Sequence, residues 1–560
     1  MAPYHRMLAW SIRHLFGAAT LALLLTGAIV EPARAGAQLG PRIDLGGAIE
    51  VGGEEERYLR VLQIAGLAAL TPWSIQPFSP SQANGLRSIA APHPWRTLFD
   101  TAAMGAAKGD STEPRARLLD SRVRLIGNSS FPFQDGAGPT WAGRGVTAEA
   151  QGGVAAVWNR LSLQVAPLAF VAQNADFALA PNGQTGPLRF ADPRFPLSID
   201  APQRFGSGAY ARIEPGTSSL TLDVRPVVLG LSAAPQRWGP TRDYPLVLGP
   251  NAGGFPMAFL GTSQPVDLWL FQLHGRVVYG ELGQTAFTSA VEGETKRNGS
   301  GVVLTLLPRG TQGLEIGVTR FIHRPWDGVL DWTSFSRPFS LSRHNLDFEN
   351  QMASLFARWA LPNARAEFYG EFYREDFPGR FHQALSLVEK PDDLAAFTVG
   401  FQHVLSLAGD RITVVRAELV NGETSHQERD ERGFTEPVPP YVHSEVTQGH
   451  TENGLLLGSP EAYGGAGWRL GLDRFTPSGR KSITLERSLR FDWLPGVGPD
   501  SAQAPLVHPD VIYDIRAELL RFDGRRQYAF TLIPAFDLNR NLQAGHDAFN
   551  ILAEISVRAW

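Results

Sequence analysis

The chain has 560 residues with 58 Gly, 41 Pro and no Cys, and 51 basic against 55 acidic side chains give a formal charge of −4. Its length is too great for one ordinary core and fits two or three soluble domains or one large barrel; its 43% apolar content excludes a disordered chain, and its aperiodic Gly and Pro exclude a collagen-like one. The balanced charge gives no basic footprint for nucleic acid, and the missing cysteine removes disulfides, thiolate metal sites and cysteine nucleophiles, which suits passage through an oxidising compartment.

The N-terminus reads as an address. Arg6 and Arg13 precede an almost wholly apolar run at 15–30, and Ala33-Arg34-Ala35 is a small-x-small cleavage site. This is the pattern of a secretory signal peptide over residues 1–35. The alternative is a membrane anchor, for which the apolar run falls short of the ~20 residues a spanning helix needs. Removal of 1–35 takes away three Arg and one Glu, a net +2, and leaves the mature chain at −6.

A small helical segment is expected over 36–116. Residues 54–70 place Tyr58, Val61, Leu62, Ala65 and Ala69 on one face, with Glu54, Glu55 and Glu56 in the first turn, where the helix dipole favours them. Ser79-Pro80-Ser81-Gln82 forms a capping box with Pro at the first helical position. His93-Pro94 opens a third helix, with Trp95, Leu98, Phe99 and Ala102 at helical spacing. Three such helices are marginal alone and need a larger body to dock on. Residues 105–116 read as a linker.

From residue 117 to 560 the period changes to two. Leu220, Leu222 and Val224 oppose Thr221, Asp223 and Arg225. Leu314, Ile316 and Val318 oppose Glu315 and Thr319; Phe368 and Phe372 oppose Arg365, Glu367 and Glu371. Trp468, Leu470 and Leu472 oppose Arg469 and Asp473, and Tyr513, Ile515 and Ala517 oppose Asp514, Arg516 and Glu518. A soluble sandwich or propeller and a transmembrane barrel both fit alternating strands. The unbroken strand phase, the two-signed charge on the polar faces and a terminal aromatic strand, ending in Trp560, favour an all-β antiparallel outer-membrane barrel. At ~25 residues per strand and connection, it has roughly 16–18 strands. Ile551, Ala553, Ile555, Val557 and Ala559 share one parity and Trp560 falls on the other, which predicts a final bulge or kink.

Enzyme signatures are missing: there is no G-x-S-x-G, H-E-x-x-H, P-loop or dinucleotide fingerprint. Asp537-x-Asn539-x-Asn541 begins like a calcium loop but has Leu542 and Ala548 where Gly and Glu are required, so no metal or cofactor is expected. His443-Ser444 and His546-Asp547 could be fragments of a hydrolase site, or polar loop residues. The charged lumen faces are expected to cross-pair between strands. Loop aromatics beside carboxylates and amides suit sugar, since a ring covers the C–H face while polar groups take the hydroxyls. Trp326 with Asp327, Trp332, Tyr441, His443 and Tyr463 are the candidates; an interfacial aromatic girdle is the competing role.

The stretch 235–261 is the most distinctive: Trp238-Gly239-Pro240, an apolar run, then Asn251-Ala252 and Phe255-Pro256. It resembles the hallmark segment of the Wzi capsule-assembly family. The YLRVLQIAGL helix, Asn350-Gln351, Tyr369, Phe372, Asp376-Phe377 and the segment 441–460 agree in order, while Thr241 stands where the pattern has glycine. The resemblance implies an 18-stranded barrel in the outer membrane of a Gram-negative-type bacterium, with a periplasmic helical bundle and a largely occluded lumen. It implies a non-catalytic lectin that retains capsular or extracellular polysaccharide. Outer-membrane lipids and the polysaccharide export machinery are the further partners. Trp238, Gly239, Pro240 and Asn251 are then expected in an inward-folded loop that closes the lumen. A small-solute porin and an outer-membrane hydrolase are the alternative functions.

Overall fold

The computed structural model describes residues 48–99, 114–133, 138–289, 297–326, 332–340, 349–375, 394–425, 439–493, 507–524 and 526–559. The signal-peptide segment, Ala102, most of the linker, Asp327, Asp376-Phe377 and Trp560 lie outside them.

Eighteen antiparallel strands close into one barrel. Three strands are each interrupted once: Leu161–Val165 with Leu168–Ala172, Tyr210–Glu214 with Ser219–Val224, and Met257–Thr262 with Val266–Asp267. Neighbours in the sheet are neighbours in sequence. The first strand, Arg115–Asn128, pairs with the last, Ala548–Ala559, through Val123↔Val557 and Leu125↔Ile555. Closure leaves no open edge, which a wall in lipid requires. The last strand pairs with Arg526–Leu538 without a register shift, so the expected kink is absent through Ala559.

The alternation sorts by face as a membrane barrel demands. In Ala466–Thr476, Trp468, Leu470 and Leu472 are exposed and Asp473 is buried. In Asp510–Asp523, Tyr513, Ile515 and Leu519 are exposed and Asp514 is buried. One end is built of tight turns, such as Gly409-Asp410 and Pro477-Ser478; the other carries the long connections. Exposed Trp158, Trp269 and Trp359 ring the short-turn end, and Trp468, Tyr513 and Phe549 lie toward the long-loop end. These are the two aromatic belts of an interface.

Folded segments enter the lumen from both ends and leave a cavity of about 400 Å³ beside them, lined in part by Glu50, Arg122, Arg242, Asp243 and Glu554. At the short-turn end sits the helical segment. Its first helix is Glu54–Ile64, shorter than the periodicity predicts. Gly66, at φ +73°, ends it: its N–H donates to Gln63 O and the Leu67 N–H to Leu62 O, both satisfying late carbonyls. The helix is buried nearly all round, because it lies inside the barrel rather than on a surface. The second helix, Pro80–Arg87, has the expected capping box: Ser79 Oγ accepts from Gln82 N, and Gln82 returns a bond to the Ser79 N–H. Helical backbone recurs at 96–99. Tyr58 stacks on Trp95 at 4.0 Å, and both pack on Phe475 of the wall.

From the long-loop end, segments 233–256 and 439–465 fold inward and bury Trp238, Tyr244, Leu246, Phe255, Tyr441 and Tyr463 in a second core. The two fillings meet in a two-residue sheet, Ile75↔Trp238 and Gln76↔Arg237.

Several of the wall's charges pair with one another and with this filling. Arg358 joins Glu315 (2.6 Å) to Glu367 (2.7 Å), and Glu367 also takes Arg60 of the first helix (2.8 Å). Arg480 joins Asp473 (2.9 Å), Glu518 (3.1 Å) and Glu54 of the first helix (2.7 Å). Cross-pairing was therefore only part of the answer, since helix residues supply several partners. Of the expected lumen charges, one falls elsewhere and one faces the lumen but meets loop backbone. Arg365 is not on the wall; it occupies the turn at φ +52°, where the chain reverses. Glu371 faces the inward loop and accepts from the Leu246 N–H (3.4 Å).

Leu470 lies mid-strand on the lipid face. Leu470→Arg is expected to lower stability by about 2–4 kcal/mol, measured by urea unfolding in lipid vesicles; a cost below about 0.5 kcal/mol would place that face away from hydrocarbon.

Candidate functional site

The inward loop 233–256 is held by wall residues that its sequence does not reveal. Glu418 accepts the backbone N–H groups of Arg242 (3.0 Å), Asp243 (3.0 Å) and Tyr244 (2.7 Å), and the Tyr369 hydroxyl (2.6 Å). Three consecutive amides on one carboxylate fix a tight turn at the barrel centre. Trp238 is fully buried and meets Phe321 edge-on at 6.0 Å. Gly239 has φ +91°, and a Cβ there would meet the Glu371 carboxylate at 3.0 Å. The Pro240 carbonyl accepts from Arg60 at 2.7 Å. Asn251 Nδ2 donates to Leu456 O (2.7 Å), tying one inward segment to the other. All four distinctive residues thus make contacts inside the lumen.

A clasp joins the second inward segment to the rim. His450 Nε2 meets the Val247 carbonyl at 2.5 Å and therefore donates to it. Its Nδ1 is left as the acceptor for His323 Nε2 at 2.7 Å. Burial pushes the His450 imidazole down to about 3, so it stays neutral, as this bonding requires. Arg297 reaches Gly449 O (2.6 Å), Thr451 O (2.8 Å) and Gly283 O (3.1 Å). Glu452 accepts from the Gly283 N–H at 2.7 Å. Burial pushes its carboxyl up to about 7, although that N–H and Arg297 both favour the charged form.

The predicted sugar-facing residues divide into two groups. Tyr441 is fully buried; its hydroxyl donates to Leu246 O (2.7 Å) and its N–H to Glu375 (2.7 Å). Tyr463 is buried edge-on against Phe491. Neither ring face is open to a ligand, because 439–465 turns inward instead of standing up as a surface loop. His443 is half-buried, and its Nδ1 accepts from the backbone of Glu445 and Val446, a local turn. His546 and Asp547 serve a similar turn with Gln543 and Asn539. Asp537 pairs with Arg540 (2.6 Å), and among the described residues no cluster of three or more His, Asp or Glu could hold a metal.

Trp326 and Trp332 stand at the long-loop rim. Trp326 stacks on Tyr279 at 5.8 Å, Tyr279 meets Phe335 at 6.2 Å, and Phe335 meets Trp332 at 5.3 Å. Trp332 is 75% exposed. The four rings form one contacting cluster, joined edge-on at Tyr279 and Phe335. Its base is pinned: Asn298 donates to Ser334 Oγ (2.9 Å), and Arg337 grips Glu349 at 2.7 Å. Tyr279 and Phe335 escaped the sequence reading. Tyr279 belongs to the strand Phe271–Leu282, and only a count of residues from that strand's tight turn could have put it level with Trp326.

The fold and this site can be set beside known proteins. The family model described as capsule assembly protein Wzi matches residues 143–487, more than half of the chain. No curated protein sequence matches. Among solved structures, the chain is similar to Wzi of Escherichia coli, described as an outer-membrane protein involved in group 1 capsule assembly and a carbohydrate-binding β-barrel. That similarity covers 91% of this chain and 99% of that one, at 14% identity and a TM-score of 0.57. OccAB3 of Acinetobacter baumannii (10% identity, 80% of this chain and 99% of that chain, TM-score 0.40) and OprD of Pseudomonas aeruginosa (11%, 81% and 95%, 0.38) are more distant and support no argument.

Two outcomes test the site's construction. In planar bilayers the intact barrel is expected to be electrically silent, and Glu418→Ala, which frees the central turn, to flicker open; steady current through the intact protein would show a continuous bore. For Glu452, the folded value lies above the ordinary 4.5, so its contribution is full below that value and is lost as pH rises through about 7. Amide exchange at 283–285, corrected for intrinsic rates, should quicken from pH 5 to pH 8, and Glu452→Gln should flatten that dependence.

Proposed function

The chain belongs to the capsule assembly protein Wzi family, and from that footing we propose that it retains a polysaccharide at the bacterial surface, binding it without chemistry. The observation that carries this reading is a cluster of four contacting rings at the long-loop rim, with Trp332 exposed, on a barrel whose lumen is entered from both ends by folded segments. The inward-folded segments narrow the lumen to a cavity of about 400 Å³ beside them, and the work of retention is assigned to the loop face. Rings such as Trp332 cover the apolar C–H faces of sugars, and each such contact is individually weak. A polymer presents the same unit many times to many barrels, so avidity multiplies weak contacts into retention.

In this reading the barrel sits in the outer membrane with its apolar belt in lipid, its long loops outward and its helical segment toward the periplasm. The helical segment fills the short-turn end and would present its outer surface to the export machinery.

Deletion of the gene is expected to move polysaccharide from the cells into the medium, and re-expression to return it. The double variant Trp332→Ala, Phe335→Ala should restore only a fraction, lower by roughly two- to tenfold in cell-associated polymer. A deletion strain that keeps its polysaccharide fully cell-attached would sink the proposal.

A further inference from the structure

The connection between Leu168–Ala172 and Tyr210–Glu214 builds a second feature on the loop face. It is long, yet side-chain amides fix it almost throughout. Asn174 is buried at φ +50° and donates to the carbonyls of Phe205 (3.0 Å), Gly206 (3.2 Å) and Gly208 (2.8 Å), while its Oδ1 accepts from Trp141 Nε1 (3.0 Å). Gln203 both accepts from the Ala180 N–H (2.8 Å) and donates to the Ala180 carbonyl (3.0 Å). Asn182 donates to Leu188 O (3.0 Å), closing the short turn Gly186–Phe190. The result is an open groove of about 650 Å³, lined by Gln173, Asp176, Phe177, Arg189, Phe190 and Arg204. Its walls are ordered before any ligand arrives, which lowers the cost of binding.

The two arginines of the groove have different roles. Arg204 is buried; it pairs with Asp176 and donates to Asn174 O (2.8 Å) and Ser207 O (3.2 Å). It holds the wall and neutralises the groove's carboxylate. Arg189 is exposed, with its guanidinium over the buried Phe190 ring at 4.6 Å from the centroid. Among the described residues it is the one charge lining the groove without an ion pair. The ring orients the guanidinium plane and leaves its donors to the groove.

We infer that this groove is a subsite for a sugar residue bearing a carboxylate, with Arg189 as the group that receives it. The inference rests on the polysaccharide reading above. The planar fork of Arg189 matches a carboxylate with two parallel hydrogen bonds. The half-buried Phe177 ring offers a face to sugar C–H groups, and the exposed Gln173 amide and the Asp176 carboxylate can take hydroxyls. A negatively charged chain repels an acidic polymer at a distance, so a local uncompensated cation is what such a polymer needs at contact.

The probe is cell-surface polysaccharide purified from the bacterium that makes this chain, used native and after chemical reduction of its carboxylates to alcohols. Binding to the full, detergent-folded barrel is followed by biolayer interferometry, with heat-modifiable gel mobility confirming that each variant is folded. The intact protein is expected to bind native polymer roughly tenfold more tightly than reduced polymer. Arg189→Ala should lose that difference and leave binding to reduced polymer unchanged, and Arg189→Lys should restore part of it. The preference should also shrink as salt rises, and only where Arg189 is present. Equal binding of native and reduced polymer by the intact protein, or an Arg189→Ala variant that keeps the preference, overturns the subsite and leaves the polysaccharide reading standing. An intact protein that binds neither form overturns both.

Discussion

A charge facing the inside of a membrane barrel must be given either water or a partner. Wide barrels give it water, at the expense of an open bore. This one gives it a partner. An ion buried without compensation costs several kcal/mol, and the wall presents Glu315, Arg358, Glu367, Arg416, Asp473 and Arg480 inward, all at 5% exposure or less. Each finds a counter-charge on the wall itself, and the fillings add a further partner to three of them: Arg60 for Glu367, Glu54 for Arg480, Asp243 for Arg416. Wall, helices and inward loop therefore form one structure. The fillings extend the ion pairs of the barrel's inner face into networks, and the helices, too small to be stable alone, gain partners from the wall.

That dependence governs what the molecule can do. The inward loop is anchored by three amides on Glu418 and joined to the helical segment through Ile75↔Trp238. It is thus fixed from above and below, as a rigid floor under the long loops. The clasp of His450, Arg297 and Glu452 extends this rigidity to the rim. Loops rising from such a floor can hold aromatic rings in one arrangement, which weak sugar contacts need, since any ordering cost would consume so small a gain.

Much of this was legible in the sequence, for physical reasons. Strands in lipid alternate strictly, so Trp468, Leu470 and Leu472 against Asp473 could be read directly. The capping box at Ser79 and Gln82 is a local device with a local signature. The roles of charged residues were less legible, because their partners lie far off in sequence: Arg60 and Glu367 are 307 positions apart. Period-two patterning shows that a residue faces the lumen, yet not whether it meets a helix, a loop amide or another strand. The same gap explains the loop aromatics. Tyr441 and Tyr463 have the composition of surface loop residues, and only the inward course of 439–465 buries them. Tyr279 has the pattern of a wall residue, and only strand register lifts it to the rim. The end of the first helix was a nearer miss, since Gly66 followed by Leu67 is the usual stop signal and outweighs two further apolar positions.

The loop face combines two chemistries under one charge constraint. The whole chain is acidic, and at physiological salt its field fades within about 8 Å. On the reading proposed above, an acidic polymer is resisted on approach and attracted only at contact, through ring faces and the guanidinium of Arg189. Such contacts are short-ranged, individually weak and easily broken. A single barrel then exchanges its segment of polymer freely, while a field of barrels along the same chain does not let go of all segments at once. Retention in that form requires neither a transport path nor a deep pocket. On the proposed reading it requires a stiff floor and a fixed set of rings, and the buried ion pairs between wall and filling supply the first of these.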